Sequence, residues 1–156
     1  MARRLVGGVL AAVVALVGVA RGAPATPSKK ADRRPAPAMM SLERLGAEYR
    51  RLRAFEADPK ESKRHDADLQ PWGGRMQQVM NELGSRLGAA GTPTRKLVGV
   101  MGKPDEIQHA DGQFWTFVRA PDATALYLYW WRHHDLLYFE VRGDAILRSS
   151  WWYPGE

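Results

Sequence analysis

The sequence predicts an α+β domain in which two or three N-terminal helices pack on one face of a four-stranded antiparallel meander sheet. Apolar residues recur every three or four positions in the first half of the chain, as in amphipathic helices. From residue 113 onward the apolar period changes to two, and the residues become aromatic and β-branched, as in strands. Short polar connectors between these strands favour antiparallel neighbours, and therefore a meander.

The composition limits both size and chemistry. The chain has 156 residues, which suits one ordinary domain, and it contains no cysteine. A chain without cysteine forms no disulfide, no thiolate zinc site and no lipid-modified N-terminal cysteine. The sequence also lacks the motifs of nucleotide-binding, metalloprotease and serine-hydrolase sites. We therefore expect no cofactor and no metal site, and we favour a binding protein over an enzyme.

Residues 1–22 have the pattern of a secretory signal peptide. Arg3 and Arg4 precede an uninterrupted apolar run over residues 5–20, and small residues follow up to Gly22. This pattern predicts cleavage after Gly22 and an exported protein, either periplasmic or secreted. The run of 16 residues is shorter than the ~20 residues that usually span a bilayer. A membrane anchor formed by residues 5–20, if they stay uncleaved, is the alternative.

Cleavage of this segment changes the charge of the protein. The whole chain has a formal net charge of +6, and residues 1–22 hold three arginines and no acidic residue, so their removal leaves +3. This modest charge, together with export, argues against a nucleic-acid partner. A membrane contact is expected only through the signal segment.

The mature chain is predicted to begin with a linker. Residues 23–40 are rich in proline, alanine and basic residues, which is typical of a disordered tether. Residues 41–156 then form the single α+β domain.

Three helices are predicted before the sheet. Ser41 suits the N-cap of the first helix, which ends at Asp58 because proline follows. The highly charged residues 57–68 predict a solvated loop, and Pro71 suits the first position of a second helix. A third, short helix is predicted to begin at Thr92. The predicted apolar stripes of the first two helices comprise Leu42, Leu45, Tyr49, Leu52, Phe55, Trp72, Met76, Val79, Met80, Leu83 and Leu87.

Four strands are predicted, over residues 114–118, 125–131, 136–141 and 145–153. Twelve of the 15 aromatic residues lie in this part of the chain, more than one helix-covered sheet face needs. The other face is therefore predicted to expose rings, and exposed apolar patches usually mark partners. The alternative is that these rings pack across strands beneath the linker or the first helix. The candidate partner-binding residues are Tyr127, Tyr129, Trp131, Tyr138 and Trp152.

Three functions follow from this interpretation. The first is a non-enzymatic domain that binds an envelope protein through the aromatic face of its sheet. The second is binding of cell-wall or other polysaccharide, since tryptophan and tyrosine rings also stack on sugars. The third is a hydrolase with an unfamiliar site around Glu140, Arg142 and His134.

The run TRKLVGVMGKPD at residues 94–105, followed by aromatic strands and a last hairpin that contains glycine, resembles the SmpA/OmlA-type domain of bacterial outer-membrane assembly lipoproteins. The resemblance covers residues 92–148 and implies two helices on a three-stranded antiparallel sheet, as in β-lactamase-inhibitor proteins. The helix-Gly-x-Pro turn of that family corresponds to Met101, Gly102 and Pro104. The chain departs from the family in its longer helical region and in lacking the lipid-attachment cysteine. The resemblance implies a non-catalytic envelope domain that binds other proteins.

Overall fold

The structure is a computed structural model that describes residues 34–154 with the exception of His133. The predicted signal peptide and residues 23–33 of the predicted linker lie outside the described residues. The described part has an α+β architecture in which five α-helices precede a four-stranded sheet. The helices are α1 (Leu42–Ala57), α2 (Pro59–Arg64), α3 (Asp66–Leu69), α4 (Arg75–Leu87) and α5 (Thr94–Met101), and the strands are β1 (Glu106–Gln108), β2 (Ala125–Trp130), β3 (Leu136–Arg142) and β4 (Ala145–Trp152).

The sheet is an antiparallel meander in the order β1-β2-β3-β4, which confirms the predicted topology. The prediction was wrong about the first strand, because residues 114–118 do not belong to the sheet. This segment begins as a 3-10 helix, Gln113–Thr116, in which the N–H of Phe117 bonds to the carbonyl of Phe114. The side-chain oxygen of Gln108 accepts the N–H of Phe114 at 2.8 Å and holds this turn against β1.

Helix α1 begins as predicted, but the loop predicted over residues 57–68 is helical. The Ser41 hydroxyl accepts the N–H of Arg44, so it caps α1. The Asp58 carboxylate accepts the N–H of Lys60 at 2.8 Å, and Pro59 occupies the first turn of α2. These are ordinary helix-start signals, which the high charge of the segment obscured.

Helix α4 starts at Arg75 rather than at Pro71. The N–H of Gly74 bonds to the carbonyl of Pro71, and Gly73 has a φ of 71° that disfavours other residues. Trp72 is therefore placed in a turn outside the apolar stripe of α4, and it is 49% exposed. Helix α5 lies close to the predicted position.

Residues 34–40 belong to the folded part, although the predicted linker included them. Pro37 and Met40 are buried, and the Arg86 guanidinium donates to the carbonyls of Ala38 and Met40. Arg34 also forms a bidentate pair with Asp68 of α3. Of residues 23–40, only 23–33 remain as a predicted linker.

Each face of the sheet is covered by a different part of the chain. One face, here called the helix face, packs against the helices through residues that include Tyr129, Leu137 and Phe139. The opposite face is crossed by residues 109–124, here called the strap, which connect β1 to β2. Phe114, Val118 and Ala120 of the strap are buried on this strap face. The strap face of the sheet comprises Leu126, Leu128, Trp130, Leu136, Tyr138, Glu140, Arg148, Ser150 and Trp152.

Candidate functional site

An open groove of about 250 Å³ lies on the strap face between the strap and the sheet. Trp130 and Trp152 come from the ends of β2 and β4, and Phe117 projects from the strap with 60% of its surface exposed. Strand β1 supplies Glu106 and Gln108 as a polar wall. The groove, here called the aromatic groove, is lined by Glu106, Gln108, Gln113, Phe114, Phe117, Leu128, Trp130 and Trp152.

The rings of the aromatic groove meet edge-on rather than as a flat platform. The Phe114 ring lies 5.1 Å from the Trp152 ring at an interplanar angle of 84°. The Phe117 ring lies 5.8 Å from the same indole and is tilted by 42°. Beneath them, Phe114 also packs edge-to-face on Tyr138. Such angles leave a concave apolar surface, into which a ring or aliphatic group can insert.

The polar wall of the groove is held by hydrogen bonds within the chain. The Gln108 amide nitrogen donates to the Glu106 carboxylate at 2.6 Å, and its oxygen accepts the N–H of Phe114. A Cβ at Gly112 would lie 2.6 Å from the same amide oxygen, so glycine permits this close approach. The strap is thus positioned on β1 by one glutamine side chain.

A second cavity of about 560 Å³, here called the arginine cleft, opens at the other end of the strap face. Glu140 is buried at its edge and accepts from the Nε of Arg148 at 2.7 Å. That hydrogen bond raises the pKa of Arg148 above its ordinary value. Arg142 donates to the carbonyl of Asp122 and pairs with its carboxylate at 2.9 Å. The cleft is lined by Arg119, Pro121, Asp122, Glu140, Arg142, Leu147 and Arg148.

The structure separates the five predicted partner-binding residues. Tyr129 and Trp131 are fully buried on the helix face, and Tyr138 is buried beneath the strap. The prediction that these three rings are exposed was wrong. Tyr127 is half-buried at the margin of the helix face, and Trp152 alone of the five lines the aromatic groove.

For Tyr129 the error arose from the register between β2 and β3, whereas Tyr138 lies on the face away from the helices and is buried because the strap covers it. Alternation along each strand is as predicted, but Tyr127 pairs with Phe139 and Tyr129 pairs with Leu137. The tyrosines of β2 therefore share a face with the apolar residues of β3 that pack on the helices. A one-residue difference in register moves every side chain to the opposite face. Both faces of β2 and β3 carry apolar or aromatic residues, so their alternation fits either register.

Tyr129 and Trp131 have clear structural roles. The Tyr129 hydroxyl donates to the carbonyl of Gly102 at 3.0 Å, and burial raises the pKa of Tyr129 well above its usual range. The indole N–H of Trp131 donates to the carbonyl of Leu69 at 2.7 Å. Both polar groups are satisfied within the core, as buried groups usually are.

The hydrolase site proposed from sequence is only partly assembled. Glu140 and Arg142 both line the arginine cleft, but His134 lies in the β2–β3 turn, at the opposite end of β3. Glu140 is paired with Arg148, and Asp122 of the same cleft is paired with Arg142. The two carboxylates of this cleft are thus held as ion-pair partners.

A second aromatic cluster, separate from the aromatic groove, lies where β4 ends and packs around Arg132. The Arg132 guanidinium lies 4.8 Å from the Trp72 ring and 4.3 Å from the Trp131 ring. Tyr153 packs 4.9 Å from Trp72 and stacks on Trp151. The Arg132 guanidinium thus occupies one face of each of these two indole rings, where a ligand cation would otherwise bind.

Sequence reasoning missed most of the groove residues. Phe117 was assigned to a strand, and Glu106 lay outside the predicted sheet. The exposed position of Phe117 depends on the 3-10 turn, before which the Asp111-Gly112 pair is a local turn signal.

Within residues 34–154 apart from His133, no three histidine or acidic side chains are grouped so that they would ligate a metal ion. No helix in the same part of the chain has the length and apolarity required to cross a bilayer.

Comparison of the chain with protein-family models, with curated proteins and with solved structures yields no match.

Proposed function

We propose that this chain is an exported, non-enzymatic domain that binds a protein partner, and that the aromatic groove receives an apolar side chain of that partner. The observation that carries the proposal is Phe117, a large ring that is 60% exposed beside the half-buried Trp130 and Trp152. An exposed ring at a concave site contributes little to folding. Aromatic residues that line such a site are typical binding anchors.

The size and shape of the groove favour a protein partner. Its volume of about 250 Å³ is below the ~300–1,000 Å³ of most small-molecule sites. It therefore suits one inserted side chain rather than a whole small ligand. The mutually tilted rings of Phe114, Phe117 and Trp152 also differ from the flat platform on which a sugar ring stacks.

Polysaccharide binding is the second candidate, favoured by the polar wall of the groove. Glu106 and Gln113 lie beside the indole rings, and carboxylate and amide groups form hydrogen bonds with sugar hydroxyls. The two candidates differ in their ligand, so one pair of variants tests both.

The experiment compares Phe117→Ser with Ile107→Ser. Ile107 is 47% exposed on β1, but its side chain projects to the helix face, so it is a matched control for loss of exposed apolar surface. A photo-reactive phenylalanine analogue at each position, in cells that export the protein, would identify a partner by crosslinking. Sedimentation with purified cell-wall polymer tests the second candidate.

We expect a specific protein crosslink from position 117 and none from position 107. Phe117→Ser should weaken binding of the identified partner at least tenfold, and Ile107→Ser should leave it unchanged. Equal behaviour of the two positions would contradict the proposal. Loss of polymer sedimentation with Phe117→Ser, without a protein crosslink, would favour the polysaccharide candidate.

Export is tested separately. The sequence of residues 1–22 predicts a mature chain that begins at Ala23, and mass spectrometry of the exported protein measures its N-terminus. An intact N-terminus in the membrane fraction would support the anchor over residues 5–20.

A further inference from the structure

The arginine cleft carries a net positive charge that faces solvent. Arg119, Arg142 and Arg148 line it together with the two carboxylates of Asp122 and Glu140, so one positive charge is unbalanced. The Arg148 side chain is 60% exposed, whereas its partner Glu140 is 4% exposed. The acidic group thus lies beneath the guanidinium, and the cleft presents its basic groups outward.

The guanidinium groups of the cleft retain free donors. Arg148 uses its Nε for Glu140 and one terminal nitrogen for the carbonyl of Arg119. Among the described residues, 34–132 and 134–154, the guanidinium of Arg119 has no hydrogen-bond or ionic partner. Because a guanidinium has five N–H donors in a planar fork, these groups can bind a further carboxylate.

The arginine cleft and the aromatic groove are connected along β4. Trp152, Ser150 and Arg148 occupy the same face of this strand, and Ser150 between them is exposed. Four residues of extended chain span about 13 Å, which sets the separation of Trp152 from Arg148. An extended ligand that follows β4 would therefore reach both cavities.

We infer that the partner segment carries an acidic side chain that binds in the arginine cleft, about four extended residues from the apolar side chain that enters the aromatic groove. This inference rests on the proposed function, and it adds the chemical class of the second contact. The cleft charge supplies the complementarity, and charge-assisted bonds between arginine and carboxylate supply the specificity.

The test uses blocked pentapeptides and nuclear magnetic resonance of the exported protein. One peptide has phenylalanine and glutamate at its ends with three glycines between them, and it is tested in both sequence orders. A second has glutamine in place of glutamate. The indole N–H signal of Trp152 reports on the groove, and the Nε–H signals of Arg119 and Arg148 report on the cleft.

We expect the glutamate peptide to shift both sets of signals in at least one order and to bind about tenfold more tightly than the glutamine peptide. Arg119→Gln should abolish this difference. Arg95→Gln, which removes an equal charge from an exposed position on α5, should retain it.

The outcomes separate this inference from the proposed function. If the Trp152 signal shifts equally with both peptides and the Arg119 and Arg148 signals do not shift, the inference is overturned. The proposal for the aromatic groove then remains. Equal loss of affinity in Arg119→Gln and Arg95→Gln would also overturn it, because only the total charge would then matter. If neither peptide moves the Trp152 signal, the groove proposal is contradicted as well.

Discussion

The indole N–H of Trp131 lies 2.7 Å from the carbonyl oxygen of Leu69 and donates a hydrogen bond to it. This bond joins the end of β2 to the short helix α3, two elements that are far apart in the sequence. It also pairs the indole N–H of a side chain that the sequence predicted to contact a partner. Trp131 is therefore a structural residue, and its neighbour Trp130 belongs to the aromatic groove.

Trp131→Phe should destabilise the domain by roughly 3 kcal/mol, because it leaves a cavity and an unpaired carbonyl at Leu69. Trp130→Phe, on a half-exposed indole, should change stability by about 1 kcal/mol or less. Urea unfolding of both variants measures the difference. Similar losses would show that Trp131 is not the core anchor.

Gly46→Ala and Gly99→Ala should have opposite effects, although both residues lie within helices. A Cβ at Gly46 would approach the backbone oxygen of Val100 to 2.6 Å, whereas a Cβ at Gly99 meets nothing within 4 Å. We expect Gly46→Ala to lower the free energy of unfolding by about 2 kcal/mol and Gly99→Ala to raise it by roughly 0.5–1 kcal/mol. Thermal unfolding measures both, and a gain at Gly46 would contradict the close packing of α1 on α5.

Glu48→Gln should destabilise the domain in a pH-dependent way. Arg75 is buried, and its Nε lies 2.6 Å from the Glu48 carboxylate, which lowers the pKa of Glu48 below 4.5. A lowered pKa in the folded state stabilises the protein above the unfolded pKa, and this stability is lost as pH falls through the folded pKa. The variant should therefore lose roughly 3 kcal/mol near neutral pH, with a smaller difference from wild type below pH 4.5.

The control for Glu48 is Glu82→Gln. Glu82 pairs with Arg86 one turn away on α4, and both side chains are partly exposed. Glu82→Gln should therefore lower the free energy of unfolding by about 0.5 kcal/mol. Denaturant unfolding between acid and neutral pH distinguishes the two variants. If the free energy of unfolding of Glu48→Gln differs from that of wild type by the same amount at every pH, the ion pair with Arg75 is contradicted.

Tyr129→Phe should lose about 1 kcal/mol near neutral pH, because the hydrogen bond to Gly102 is removed. Burial raises the pKa of Tyr129, so the unfolded chain ionises first and wild-type stability falls as pH rises above 10.0. That loss amounts to about 1.4 kcal/mol per pH unit for this group. Because this loss is at least as large as that of the hydrogen bond, Tyr129→Phe should be less stable than wild type at about pH 8 and no less stable at about pH 11, which unfolding measured at the two pH values tests.

Much of the fold could be predicted because its signals are local. The Ser41 cap and the period-two pattern of β2 to β4 each depend on neighbouring residues, and the structure places both as expected. The predictions for residues 57–68 and 114–118 were wrong because the amino-acid composition of these segments indicated one structure, whereas their capping or turn residues form another. The many charged residues at 57–68 predicted a loop, although Asp58 caps a helix there. The aromatic residues at 114–118 predicted a strand, although Phe114 lies in a 3-10 turn.

The candidate site was harder to predict because it depends on contacts that are distant in sequence. The large number of aromatic side chains in the strands predicted that some of them are exposed. The strap nevertheless covers Tyr138, and the helices cover Tyr129. The register of β2 against β3 and the covering of the second face are long-range properties. The aromatic character of Trp152 made it a candidate contact from sequence, whereas Phe117 becomes a candidate only from its exposed position on the strap.

The strap is a covalent link between β1 and β2 as well as a cover for one face of the sheet. A protease that cut the exposed stretch near Phe117 would divide the chain into one fragment with the five helices and β1 and a second with β2 to β4, and non-covalent contacts alone would hold the two together. Such a nicked molecule would present Leu128 and Tyr138 to water. Cleavage there would expose apolar side chains that the intact strap covers, and the cleaved protein would then self-associate.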